Sequence, residues 1–442
     1  PRPPLERKAQ RLEGDMAAAD GLSEAADLKE VGNDLFRKGQ FAQAIEVYTQ
    51  AVALLGETPD AAVSGGPPLE LRCALLSNRA AAQLQTGGAQ AALEDCSQCL
   101  ALDPGHLKAR YRRAMAAKHL QQVPLMVEDA RWVLRREPSN KAVQALLRVK
   151  EWLPRGVRVA ESPSGEQVDS NLLVLLHGVG DSEQGLFALG KGMQLPQTRI
   201  LSLRAPLKLP LEGLGYWWFP CPLEDGGLLD LEDLPMSRCV EGLQAAVQRL
   251  LDLLDRIVEL GFFSLDRIFL LGYSQGAALA VATAASRRLG GAIAVSLSEG
   301  AILGEFLRTK VSVVDKEEGP EVSGGGVSSA TPVLLTHGSN DEVEPCERVR
   351  REVLVPLQAL CGGEDFVVHG RGGVQGPTSP AVILHVLDGK GHEGLNSEEE
   401  TRVVMQFFAS HLYLRNLQLE NMPDVFEVAV APPGAPVFPS PS

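Results

Sequence analysis

The pentapeptide Gly272-Tyr273-Ser274-Gln275-Gly276 constrains this chain more than any other feature. It follows the apolar run Ile268-Phe269-Leu270-Leu271 and precedes the small-residue run Ala277-Ala278-Leu279-Ala280-Val281-Ala282. That pattern predicts a buried strand, a sharp turn and a helix, with a turn too tight for a Cβ on either side of the serine. The Ser274 hydroxyl then stands at the carboxyl end of the strand, above a helix N-terminus, where developing negative charge is favoured.

A serine placed this way needs a base and an orienting carboxylate, expected downstream in the order acid, then histidine. Pro332-Val333-Leu334-Leu335-Thr336 reads as a buried strand, and Asp341 lies in the loop His337-Gly338-Ser339-Asn340-Asp341-Glu342-Val343 that follows it. Ala381–Leu387 reads as another strand, leading into Gly389-Lys390-Gly391-His392-Glu393. His392 on that glycine-flanked loop is the candidate base. The other histidines are poorer candidates. His385 sits inside an apolar strand, His369 in a Gly-rich insertion and His411 at a helix end, while His177 and His337 open turns after strands. Glu342 and Glu344 rival Asp341 but would aim elsewhere. Asn171–Leu176 is a third buried strand, followed by His177-Gly178-Val179-Gly180-Asp181. Backbone N–H groups of Val179 and Gln275 are the candidate oxyanion donors.

Together, H-G-V-G-D, G-Y-S-Q-G-A, H-G-S-N-D-E-V and G-K-G-H resemble the phospholipase/carboxylesterase family, which includes acyl-protein thioesterases and lysophospholipase-like proteins. The resemblance covers about residues 157–415. It implies an α/β-hydrolase domain with a mostly parallel sheet, Ser274 as nucleophile, Asp341 as acid, His392 as base, and Val179 and Gln275 as oxyanion donors. It further implies acyl-ester or acyl-thioester substrates, on a protein or a lipid. No metal or cofactor is expected, because the nucleophile is built from side chains alone. Two Gly-rich stretches, Gly319–Gly326 and Gly370–Pro377, read as surface insertions. The segment Leu207–Pro220, rich in Leu and aromatics, reads either as the wall of an acyl-chain groove or as a cap on the core. A helix from about Ser237 to Leu260 presents one apolar face.

Residues 22–153 carry helical periodicity instead. Leu102-Asp103-Pro104 recurs as Arg136-Glu137-Pro138, and Ala80 pairs with Ala114, a period of 34 residues. Gly32, Ala44, Tyr48 and Ala51 fit an earlier unit, separated from the next by Glu57–Pro68. This resembles three tetratricopeptide repeats closed by a capping helix at about Asn140–Leu153. Lys29 and Asn33 share one helix face, Asn78 falls on the next repeat, and Lys108 and Arg112 share a face of the third. These five resemble the carboxylate clamp of co-chaperone tetratricopeptide domains, which grip the Glu-Glu-Val-Asp tails of cytosolic heat-shock chaperones. The resemblance implies that they are the peptide-binding residues, since a C-terminal carboxylate needs several converging donors. Cys96 and Cys99 form a C-x-x-C, but with no second pair at zinc spacing they read as packing residues.

The expected architecture is therefore an all-α repeat array followed by an α/β-hydrolase domain. The expected partition is 1–21 disordered, 22–153 repeats, 154–415 hydrolase, and 416–442 an extension with a Pro-rich disordered end. A formal net charge of −14 argues against nucleic acid as partner. Seven cysteines without framework spacing suggest a reducing compartment, and no transmembrane run is present, so a cytoplasmic location is expected. Two other readings are a general carboxylesterase or lysophospholipase, and a chaperone adaptor whose hydrolase module is inert.

Overall fold

The computed structural model describes residues 4–56, 67–165, 169–209, 213, 215–222, 234–317, 330–361, 367–369 and 382–415. Helix α1 runs Pro4–Arg37 and packs on α2, Phe41–Leu54. Two further antiparallel pairs follow: α3, Pro67–Gln85, with α4, Ala89–Leu102, and α5, Leu107–His119, with α6, Val123–Arg136. Small residues let the helices approach. Ala44, Ala51, Ala80, Ala92 and Ala114 are fully buried. A Cβ on Gly32 would lie 2.5 Å from the Tyr48 ring, so that position requires glycine. The period of 34 is also written in charge and in caps. Arg79 grips Asp95 and Arg113 grips Asp129, while His106 and Asn140 each cap a helix by accepting the N–H three residues on. Equivalent residues thus make equivalent bonds, as repetition of one folding unit requires.

Two expectations need correction. Residues 4–21, expected to be disordered, belong to α1. The stretch after Pro4 is rich in Ala, Leu, Glu, Lys and Arg, all good helix formers, and Pro is tolerated in a first turn. The capping helix is also shorter than expected. It stops at Leu146, as α7, Lys141–Leu146, and a 3₁₀ turn, Val149–Trp152, follows. The Glu161 carboxylate accepts the N–H groups of Val149 and Lys150 at 2.8 and 3.1 Å, which ties this turn to the first strand of the sheet. The expected insertions at 319–326 and 370–377, the C-terminal extension from 416 and most of Glu57–Pro68 lie outside the described residues.

The C-terminal part is built on an eight-stranded sheet. In chain order its elements are β1, Val159–Ser162; β2, Asn171–Leu176; α8, Glu183–Gly192; β3, Thr198–Leu203; a small hairpin of β4, Leu207–Lys208, and β5, Tyr216–Trp217; and α9, Met236–Glu259. Then come β6, Ile268–Tyr273; α10, Gln275–Ala284; β7, Gly291–Val295; α11, Gly300–Glu317; β8, Val333–Gly338; β9, Val367–His369; β10, Val382–Leu387; and α12, Glu398–His411. The strand order is β1-β3-β2-β6-β7-β8-β10-β9, parallel throughout except for the β1–β3 pair. Strands β2, β3, β6, β7, β8 and β10 are buried along almost their whole length, as a sheet covered on both faces demands.

One apolar core runs from α6 of the repeat array into the sheet and α9. Arg131 of α6 crosses the junction. Its guanidinium donates to the carbonyls of Gly261 and Phe262 and lies over the Phe263 ring at 5.5 Å. Burial pulls that guanidinium down to about 10. Among the described residues no helix is long and apolar enough to cross a membrane.

Candidate active site

Ser274 sits between β6 and α10 with φ 54° and ψ −120°, a conformation rarely tolerated outside glycine. The two elbow glycines make it possible. A Cβ on Gly272 would lie 2.1 Å from the Gly276 carbonyl oxygen, and one on Gly276 would lie 2.0 Å from that of Leu176. The first turn of α10 therefore rests directly on the end of β2.

The loops after β8 and β10 converge on the serine. His392 Nε2 lies 3.0 Å from Ser274 Oγ, and His392 Nδ1 lies 2.9 Å from Asp341 Oδ2. The other Asp341 oxygen accepts the N–H groups of Val343 and Glu344, each at 3.0 Å, so the carboxylate cannot rotate freely. Burial raises the Asp341 carboxyl, but the His392 and Glu344 hydrogen bonds outweigh it and leave it below the usual range. The Tyr273 hydroxyl donates to the His392 carbonyl at 3.1 Å, and the Ser296 hydroxyl donates to the Glu393 carbonyl at 2.6 Å. These bonds anchor the backbone on which the imidazole stands.

The rivals stand elsewhere. Glu342 is exposed, and Glu344 is buried with its carboxylate accepting the Gly300 N–H. His337 is buried beside Asp341, 3.5 Å from Oδ2, and its Nε2 lies 2.7 Å from the Glu344 carbonyl. His385 is buried and faces Glu399 at 3.7 Å. His177 accepts the Ala205 N–H at Nε2 while Nδ1 meets the Gly178 carbonyl, so it braces the loop that carries Val179.

Val179 and Gln275 flank the serine. A Cβ on Gly178 would lie 3.2 Å from the Ser274 Cβ, which places the Val179 loop against it. Among the described residues the N–H groups of Val179 and Gln275 have no protein acceptor, which leaves both free to donate. The Gln275 side chain does something the sequence did not reveal. Fully buried, it accepts the Trp218 N–H at 2.8 Å and donates to the Phe219 carbonyl at 2.9 Å. The Trp218 indole in turn donates to the His177 carbonyl at 2.7 Å. Trp217, Trp218 and Phe219 are buried, so these aromatics cap the core and brace the two donor loops. Of the same segment, residues 210–212 and 214 lie outside the described residues.

Two further polar residues were missed, Ser298, which adjoins the serine, and Glu299, which follows Ser298 in the chain. Ser298 Oγ lies 3.2 Å from Ser274 Oγ. Glu299, next in the chain, has a positive φ of 60°. Burial pushes its carboxyl up to about 7 from an ordinary 4.5, and the Glu344 charge adds to this against the Cys221 hydrogen bond. A carboxyl raised on folding favours the folded state only while it keeps its proton. Its cost therefore appears as pH climbs from 4.5 through 7. Glu299→Gln is expected to match the wild type near pH 4.5 and to be more stable by roughly 2–3 kcal/mol at pH 8. Urea denaturation at the two pH values checks this.

In the repeat array, the structure joins three of the five clamp candidates. Asn78 Nδ2 donates to Asn33 Oδ1 at 3.0 Å, and Arg112 donates to Asn78 Oδ1 at 3.4 Å and to Ser77. Tyr48 donates to the same Asn33 oxygen at 2.8 Å. Lys29 lies one turn before Asn33 and meets Glu30 at 3.3 Å, while Lys108, one turn before Arg112, is exposed. Cys96 and Cys99 are buried as free thiols, and among the described residues no cluster fit to hold a metal occurs.

Comparison with known proteins bears on both halves. Residues 158–366 match the family described as Phospholipase/Carboxylesterase. That match supports a phospholipase/carboxylesterase domain in this part of the chain. An uncharacterized hydrolase of Mycosarcoma maydis, UM10204, is 36% identical over 185 residues, covering 41% of this chain and 62% of that protein. Relatives of the N-terminal region are of another kind. Human sperm-associated antigen 1 is 35% identical over 140 residues, 31% of this chain and 14% of that protein. The human mitochondrial import receptor subunit TOM34 is 33% identical over 124 residues, 28% of this chain and 38% of that protein. The chain thus spans less than two thirds of each of these relatives. Among solved structures, maize acyl-protein thioesterase 2 matches 58% of this chain and 99% of its own at 21% identity, with a TM-score of 0.40.

Proposed function

We propose that the chain is a serine hydrolase that cleaves acyl esters or thioesters through an acyl-enzyme. The observation that carries this reading is the unbroken line from Ser274 Oγ through the His392 ring to Asp341 Oδ2, at 3.0 and 2.9 Å. His392 Nε2 takes the hydroxyl proton as Ser274 Oγ attacks the acyl carbonyl. Val179 and Gln275 N–H groups receive the oxyanion. His392 returns the proton to the departing alcohol or thiol, and Asp341 holds the imidazolium. Water activated by the same base then releases the acid and restores the serine.

A fluorophosphonate probe tests the reading. Wild-type chain is expected to label at Ser274, and Ser274→Ala is expected to stay unlabelled. A folded wild type that does not label would overturn the hydrolase reading in favour of an inert module.

We assign residues 22–153 to a peptide-binding array and 154–415 to the hydrolase. The linked Asn33, Asn78 and Arg112, with Lys29 and Lys108 one turn away, support recognition of an acidic C-terminal tail of the heat-shock chaperone type. The seven cysteines, all free thiols, support a reducing, cytoplasmic setting. Lys108→Glu is expected to weaken binding of a peptide ending in Glu-Glu-Val-Asp by about tenfold or more, and salt is expected to weaken wild-type binding. Fluorescence polarisation reads both. Unchanged affinity in the variant would remove Lys108 from the clamp.

A further inference from the structure

A cavity lies where the repeat array hands the chain to the sheet. It measures about 610 Å³, within the usual range for small-molecule sites. Among the described residues, neither Ser274, His392, Asp341 nor Val179 lines it. Its walls are the connector Pro154–Arg158, the chain leaving β3, and one face of α9. Leu203, Ala205, Trp218, Leu250 and Leu253 make an apolar floor.

The mouth has the opposite character. Arg155 and Arg158 on the connector are exposed, and Arg249 faces the same cavity from α9. Among the described residues none of the three pairs with a carboxylate. Arg249 donates to the Trp218 carbonyl at 3.4 Å, and burial lowers its basicity. The fourth arginine, Arg204, is already matched. It meets both oxygens of Glu183 at 2.5 and 2.7 Å and lies over the Tyr216 ring. The acid within the lining, Asp252, accepts from Gln248 at 2.7 Å. Three guanidiniums without a carboxylate partner among the described residues, around one apolar cavity, are a local exception on a chain of net charge −14.

We propose that this cavity binds an anionic amphiphile, a medium- or long-chain acyl group ending in a carboxylate or phosphate. The acyl chain covers the apolar floor, and Arg155, Arg158 and Arg249 receive the head group, as guanidiniums do for planar or tetrahedral anions. The inference is independent of the role given to Ser274. It does need Pro154–Arg158, the stretch that opens the hydrolase part directly after the repeat array, because that stretch supplies two of the three arginines.

The full-length chain carrying Ser274→Ala, titrated with dodecanoate by isothermal calorimetry, tests the proposal. Saturable binding to one site is expected. Arg158→Glu and Arg249→Glu are each expected to raise Kd by about tenfold. Dodecanol, which keeps the chain and lacks the charge, is expected to bind at least about tenfold more weakly than dodecanoate. Dodecyl phosphate separates the two head groups by its affinity relative to dodecanoate, and inorganic phosphate is expected not to compete. Ala246→Phe, which fills the cavity from α9, is expected to abolish binding. Should that variant fail to fold, the two surface charge reversals still decide. Equal affinity in both charge reversals, equal affinity for dodecanol, competition by inorganic phosphate alone, or no saturable binding would each overturn the proposal.

Discussion

Asp341→Asn is expected to lower kcat/KM for a p-nitrophenyl ester by about 10⁴-fold while leaving the fold intact, well short of the loss of about 10⁶-fold expected for Ser274→Ala. The size follows from how Asp341 is held. One of its oxygens already accepts the N–H groups of Val343 and Glu344, each at 3.0 Å. An asparagine must put its carbonyl oxygen there, because its NH₂ cannot accept. The NH₂ is then presented to His392 Nδ1, which must become an acceptor. The ring's proton moves to Nε2, the atom that has to take the serine's proton. The variant thus preserves every contact distance and inverts the base. Ser298→Ala is the contrast. It removes a hydroxyl 3.2 Å from Ser274 Oγ without touching the ring, and is expected to cost less than about tenfold. Circular dichroism checks the fold. An Asp341→Asn rate within tenfold of the wild type would show that the carboxylate does not set the tautomer.

What could be read from the sequence was whatever a single strand and its adjoining loop express. Ser274, Asp341, His392 and Val179 each follow an apolar run, and a parallel sheet brings all such loops to one edge. The bracing behind them was not legible. Trp218 and Gln275 are 57 residues apart, and nothing local to either shows that one backbone N–H meets the other's amide. His337 looked like an ordinary turn residue and proved to stand beside Asp341. Glu299 gave no signal, since an acid after a strand reads as surface until burial is known. In the repeats the period was visible, but the Arg79–Asp95 and Arg113–Asp129 pairs, which repeat it in charge, were not read from it. The helix formers that follow Pro4 were not read as a helix, and so residues 4–21 of α1 were expected to be disordered. The capping helix failed for a tertiary reason, because Glu161 takes the N–H groups that a continuing helix would use.

Gly276→Ala is expected to cost more than about 4 kcal/mol, the range that marks a specific structural conflict and not ordinary loss of contacts. The added carbon would lie 2.0 Å from the Leu176 carbonyl oxygen and within 2.6 Å of that of His177. Both are backbone atoms at the end of β2, itself bonded to β3 and β6, so neither can swing away as a flexible side chain would. Relief requires the first turn of α10 to lift off β2. That movement carries Gln275 away from Val179, and with it the spacing of the two N–H groups proposed to share the oxyanion. Stability and chemistry therefore depend on the same contact, and fluorophosphonate labelling is expected to fall with stability. Gly192→Ala is the control, since a Cβ there meets nothing within 4 Å at the end of α8, and it is expected to change stability by less than about 1 kcal/mol. Urea denaturation of the two variants beside the wild type measures the difference. A Gly276→Ala chain within 1 kcal/mol of the wild type would mean that α10 can shift off β2 at little cost, and the rigid elbow would no longer explain how Ser274 is held at a positive φ.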